Sequence, residues 1–137
     1  MAVESTRNRL NPVGNARLTA LVGVLLLGPV AVELATIVLG VHSFMSLHVF
    51  VGLALIPAVV LKLASTGWRF ARYYLGSSAY VSKGPPQIAL RLLAPGVVFT
   101  TVALFGTGVA LLLVGPNNEL GFLHKVSFIA WFALMAI

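Results

Sequence analysis

Apolar residues fall in four long runs, with short polar breaks after the first and third and a longer basic-aromatic segment after the second. The first extends from Leu18 to about Gly40 and is interrupted only by Glu33. The second begins at Ser43 or Ser46 and continues to Ser65, with Lys62 close to its end. The third, Leu92 to Val114, carries no charge, and the fourth starts near Asn118 and is still apolar at Ile137. A helix crossing a hydrocarbon layer of about 30 Å needs about 20 apolar residues, so every run has transmembrane length. The runs are too long for strands and lack alternation, which excludes a sheet. Ser43 and Asn118 suit helix N-caps, while Gly40 and Gly115-Pro116 suit helix ends. Gly28-Pro29 and Pro57 lie inside runs, where lipid tolerates them and kinks are expected. The pattern predicts an all-α fold, a transmembrane up-down-up-down four-helix bundle, with truncation of the fourth helix left open. Residues 1–17 form a terminal segment, residues 18–137 one transmembrane domain, and residues 67–91 a basic-aromatic connection.

Composition sharpens this picture. The chain has 137 residues, 59% apolar and 9% charged, too little polar surface for an ordinary soluble domain. Absence of cysteine excludes disulfides, catalytic thiols, thiolate-held iron–sulfur clusters and covalent c-type haem. The net charge of +6 would suit a nucleic acid, but with this hydropathy it points to a membrane surface. Eight of the nine basic residues gather on one side: Arg7, Arg9 and Arg17 before the first run, and Lys62, Arg69, Arg72, Lys83 and Arg91 around the second connection. The positive-inside rule assigns that side, and the N-terminus, to the cytoplasmic face of the plasma (inner) membrane. The first run continues past the length of a signal-peptide core and no small-residue cleavage site follows, so it reads as an anchor. In the connection, Trp68, Tyr73, Tyr74 and Tyr80 accompany the basic residues, so Trp68 to Leu75 is expected along the inner membrane surface near anionic lipid. Gly84-Pro85-Pro86 then turns the chain.

Ionisable side chains inside membrane spans are costly, and the sequence has few. Lys62, near a helix end, is expected to snorkel to the interface. His48 lies about 7.5 Å past a cap at Ser43, and His124 about 9 Å past Asn118, so both are expected at similar depth. In the predicted bundle their helices stand diagonally, roughly 11–14 Å apart, a gap that two imidazoles and a porphyrin would fill. Gly52, one turn after His48, with Gly106 and Gly108, would leave room for the macrocycle, although small residues also serve close helix packing. Glu33 would accept a hydrogen bond from a ligating imidazole and tune its basicity. His42, Lys125 and Asn117-Asn118 at the outer edge suit haem propionates or simple interfacial anchoring. Each histidine taken alone also reads as an interfacial residue near a helix start. Leu47-His48 follows Gly40, and Leu123-His124 follows Gly115, at nearly equal spacing, a weak internal repeat.

Leu47-His48-Val49-Phe50-Val51-Gly52, the segment from Lys62 to Tyr74, the Gly84-Pro85-Pro86 turn and Leu123-His124-Lys125 together resemble bacterial cytochrome b561-like membrane proteins, including cytochrome subunits of formate dehydrogenase type. The resemblance implies a four-helix membrane bundle with haem b and, carried over by position, His48 and His124 as axial metal ligands. A di-haem helix in such proteins places a second histidine about four turns on, where this chain has Lys62, so one haem at most is implied. The expected function is that of an integral membrane electron carrier rather than a self-contained enzyme, passing single electrons from a quinol or other membrane donor to a partner subunit. The alternative is a non-redox membrane anchor or assembly subunit of a larger complex. A transporter ranks third, its polar groups being mainly Thr100, Thr101 and Thr107. No nucleophile–base pair, phosphate loop or zinc-ligand spacing is visible.

The charge asymmetry makes a direct prediction in this cysteine-free chain. A single cysteine at Ser43 is labelled in intact cells by a membrane-impermeant maleimide, and one at Ser77 only after lysis. The reverse labelling would invert the topology.

Overall fold

A computed structural model describes residues 12–82, 84 and 88–137. Among these it contains five helices: α1 (Pro12–Val38), α2 (Met45–Tyr74), the single turn α3 (Ser78–Val81), α4 (Ile88–Val114) and α5 (Asn118–Met135). No strand occurs among the described residues. The chain divides into two compact units, Met1–Pro85 and Pro86–Ile137. In the first, α1 packs on α2 as a helical hairpin and α3 folds against α2; in the second, α4 packs on α5.

Among the described residues three helices, over Val13–Val38, Met45–Tyr74 and Arg91–Val114, are long and apolar enough to cross a membrane. They mark the chain as a membrane protein. The expected fourth span is less apolar: α5 has 18 residues, and Asn118, Glu119, His124 and Lys125 fall in its first half.

Several boundaries differ from expectation for local reasons. Helix α1 already begins at Pro12, whose fixed φ suits a first helical position, so residues 12–17 belong to it and not to a separate segment. It ends at Val38, and Gly40 takes a left-handed φ of 103°, which only glycine adopts without strain. The cap of α2 is Phe44, with no side-chain bond, and Ser43 is left in the turn. At α5 the cap is Asn117, not Asn118: its Oδ1 accepts from the backbone N–H groups of Glu119 at 2.9 Å and Leu120 at 3.1 Å. Helix α2 shows the largest difference. Its 30 residues run without a break through Trp68 to Tyr74, so that segment continues the second helix and is not a separate connection. Arg72 stacks over the Trp68 ring at 5.6 Å. Pro85, Pro86 and Lys83 of the expected turn lie outside the described residues.

The distribution of polarity is inverted relative to a soluble domain. Leu25, Phe99 and Leu113 are exposed, whereas Thr36, Ser65 and Thr101 are buried. Lipid tails solvate leucine as well as a protein core does, so polar contacts and close packing, not apolar burial, join the helices. At one end of the first hairpin Asn15 Nδ2 donates to Ser65 O at 3.0 Å, Thr19 Oγ1 approaches Ser65 Oγ at 3.0 Å, and Lys62 Nζ donates to Thr19 O at 2.8 Å. Lys62 therefore reaches across to α1. Gly23 makes room for it, since a Cβ there would stand 2.7 Å from Nζ.

Interhelical hydrogen bonds in membranes contribute about 0.6 kcal/mol on average and up to about 1.7. Ser65→Ala should therefore destabilise the protein within that range, read as a lower thermal midpoint in detergent. Alanine at the neighbouring, exposed Thr66 should leave the midpoint unmoved.

Candidate functional site

In the first unit the site is built at the closed end of the α1–α2 hairpin. Thr36 stands in the last turn of α1 and His48 in the first turn of α2. The Thr36 hydroxyl donates to Glu33 O, one turn back, at 2.7 Å. Its proton thus committed, Thr36 Oγ1 meets His48 Nδ1 at 3.1 Å with lone pairs only, so the ring nitrogen is the donor. Glu33, one helical turn below on the same face, pairs its Oε2 with the same Nδ1. The Glu33 and His48 side chains are 13% and 22% exposed, so the pair is held mostly away from the surroundings. Gly52 faces Glu33, and a Cβ there would lie 3.6 Å from Oε1, an ordinary contact.

The second unit repeats this chemistry with different residues. Thr107 of α4 donates its hydroxyl proton to Ala103 O at 2.7 Å, with Leu104 O at 3.0 Å. His124 of α5 brings Nδ1 to 3.1 Å from Thr107 Oγ1 and 3.0 Å from Leu104 O. A carbonyl oxygen can only accept, so the proton sits on His124 Nδ1. Gly108 clears space for the ring: a Cβ would approach His124 Cε1 to 3.1 Å. In both hairpins a threonine hydroxyl turned back on its own helix therefore offers lone pairs to an imidazole of the next helix. A neutral ring fixed in this way carries its remaining lone pair on Nε2.

Of the residues singled out in the sequence, Glu33, His48 and Gly52 come together in the first unit. His124 lies in the second. His42 is exposed in the turn between α1 and α2 and makes no hydrogen bond or ion pair among the described residues. From the observed caps, His48 lies about 6 Å and His124 about 10.5 Å along its helix, a wider difference than caps at Ser43 and Asn118 would give. Sequence reasoning misses Thr36 and the Leu104 carbonyl, and sees Thr107 only as a polar residue in the span. The available signal is a threonine near the end of one helix and a histidine near the start of the next, Thr36 with His48 and Thr107 with His124. Among the described residues no group of three or more His, Cys, Asp or Glu side chains is placed to hold a bare metal ion.

No family model, no curated protein and no solved structure matches the chain. The site therefore rests on its own geometry.

That geometry predicts two of the three imidazoles in the Nδ1–H form. Nitrogen-15 spectra of histidine-labelled protein in bilayers should show protonated Nδ1 and pyridine-like Nε2 for His48 and His124. Thr107→Val should shift the His124 pair alone. Nε2–H tautomers at both positions would refute the assignment.

Proposed function

We propose that the protein is an integral membrane electron carrier with one haem b, which His48 and His124 would hold. In this reading the two hairpins are the halves of an up-down-up-down four-helix transmembrane bundle in the plasma membrane, with the N-terminus cytoplasmic and a quinol or partner subunit exchanging electrons with it.

The observation that carries this reading is the matched state of the two histidines. Each imidazole is anchored through Nδ1: His48 by its hydrogen bond to Thr36 and its ion-pair contact with Glu33, and His124 by Thr107 and Leu104 O. A metal-ligating imidazole characteristically donates its other N–H to a carboxylate or carbonyl, which fixes the ring and raises the basicity of the coordinating nitrogen. Two such nitrogens are too few for a bare ion, but they would suffice to hold the iron that a haem brings with it. The donor set therefore fits haem. Haem, when bound, supplies the one-electron chemistry.

The chain's own residues supply ligation, orientation and surroundings. Thr36 and Thr107 set ring orientation, and Gly108 lets the His124 ring lie close against α4. Glu33 places a carboxylate behind His48, whereas His124 has a neutral carbonyl behind it, so the two ligands differ in basicity. The apolar outer faces of the helices keep the site in a low-dielectric medium.

Membranes containing the protein should show a reduced-minus-oxidised b-type difference spectrum, with haem near one per chain. His48→Ala and His124→Ala should each abolish it or reduce it at least tenfold, while His42→Ala should retain it. A colourless protein, or unchanged spectra in both ligand variants, would reject the haem reading in favour of a non-redox membrane anchor.

A further inference from the structure

A second polar site lies in the first hairpin, away from His48 and independent of the haem reading. Lys62 Nζ donates to Thr19 O at 2.8 Å, and the absence of a side chain at Gly23 gives the ammonium its place against α1. Thr19 itself is fixed by bonds to Asn15 O and Ser65 Oγ, so the carbonyl and ammonium are held and not loosely apposed. An ammonium has three N–H donors, and Thr19 O is the one acceptor it finds among the described residues. No carboxylate meets it there. The chain has three acidic residues; Glu33 is paired with His48, Glu119 belongs to the other unit, and Glu4 lies outside the described residues.

Position along α2 indicates what would neutralise this charge. Measured from Met45, Lys62 stands about 25 Å along the helix and Arg69 about 36 Å, so together they bracket the edge of a hydrocarbon layer of about 30 Å. The two are seven residues apart, nearly two turns, and so share one face. Beside them Trp68, half exposed, carries Arg72 over its ring, the pairing of indole and guanidinium found at headgroup level. A partly buried cation at a membrane boundary is costly without an anion, and the bilayer offers one there as lipid phosphate. Two cations on one face with no described counter-charge favour a lipid of net negative charge over a zwitterion.

We propose that Lys62 and Arg69 form a binding site for the phosphate of an anionic phospholipid, with Thr19 O and Gly23 holding the Lys62 ammonium in position to receive it.

The test is native mass spectrometry of the full chain released from detergent after incubation with equal amounts of phosphatidylglycerol and phosphatidylcholine. Wild-type protein should retain phosphatidylglycerol at least fivefold over phosphatidylcholine. Lys62→Gln and Arg69→Gln should each bring the ratio near one, and Gly23→Ala, which displaces the ammonium, should lower it. Lys125→Gln, which removes an exposed charge from the other unit, should leave the ratio unchanged. Equal retention of the two lipids by wild type, or wild-type selectivity in Arg69→Gln and Lys62→Gln, would overturn the proposal. Loss of selectivity on adding millimolar inorganic phosphate would assign the site to free phosphate and overturn the lipid. Should Lys62→Gln lose helix content by circular dichroism, Arg69→Gln, outside the polar cluster, decides the question alone.

Discussion

The structure depends on one constraint: a polar group placed among lipid tails must find its partner inside the protein. Backbone groups meet it by forming long helices, and side chains meet it by turning toward the neighbouring helix. Threonine shows the economy of this arrangement. The hydroxyls of Thr36 and Thr107 give their protons to carbonyls on their own helices, and the lone pairs then receive an imidazole from the next helix. Neither histidine is thereby left with an unpartnered N–H, and each hairpin gains a polar link where apolar burial offers little.

The same constraint places the polar residues at two levels of the first hairpin. Near its closed end lie Glu33, Thr36 and His48, and toward its open end lie Asn15, Thr19, Lys62 and Ser65. Between them α1 and α2 are joined by packing, with Val22 and Leu55 among the few deeply buried apolar side chains. Gly23 serves this arrangement through what it lacks: any larger residue would collide with the Lys62 ammonium. In the second hairpin Gly108 does the same for the His124 ring, and Gly96 accommodates Leu134 at 3.2 Å from a would-be Cβ.

Much of the helical layout is legible in the sequence because a membrane span needs only length and hydropathy to be recognised. Leu92–Val114 lies within observed α4, and the first run lies largely within α1. Helix ends are harder. The basic-aromatic stretch after Ser65 reads as a connection by composition, yet Ala and Arg propagate a helix well and the single Gly67 does not stop it, so α2 continues to Tyr74. Hydropathy carries no information on interhelical pairs, which is why the bond from Lys62 to Thr19 O is not legible in the sequence. That Glu33 meets an imidazole is readable, since a lone carboxylate in a span requires a donor, but which histidine it meets is not. Thr36 is not, because threonine is unremarkable in apolar helices until a partner helix is placed beside it.

In the function we propose, two imidazoles of this chain share one iron. Electron paramagnetic resonance of the oxidised, purified protein measures that most directly. The account predicts a low-spin ferric signal characteristic of two nitrogen axial ligands, converting to high spin when either His48 or His124 is replaced. A high-spin signal in the unaltered protein, or no haem iron signal from folded protein supplied with haem, would contradict it.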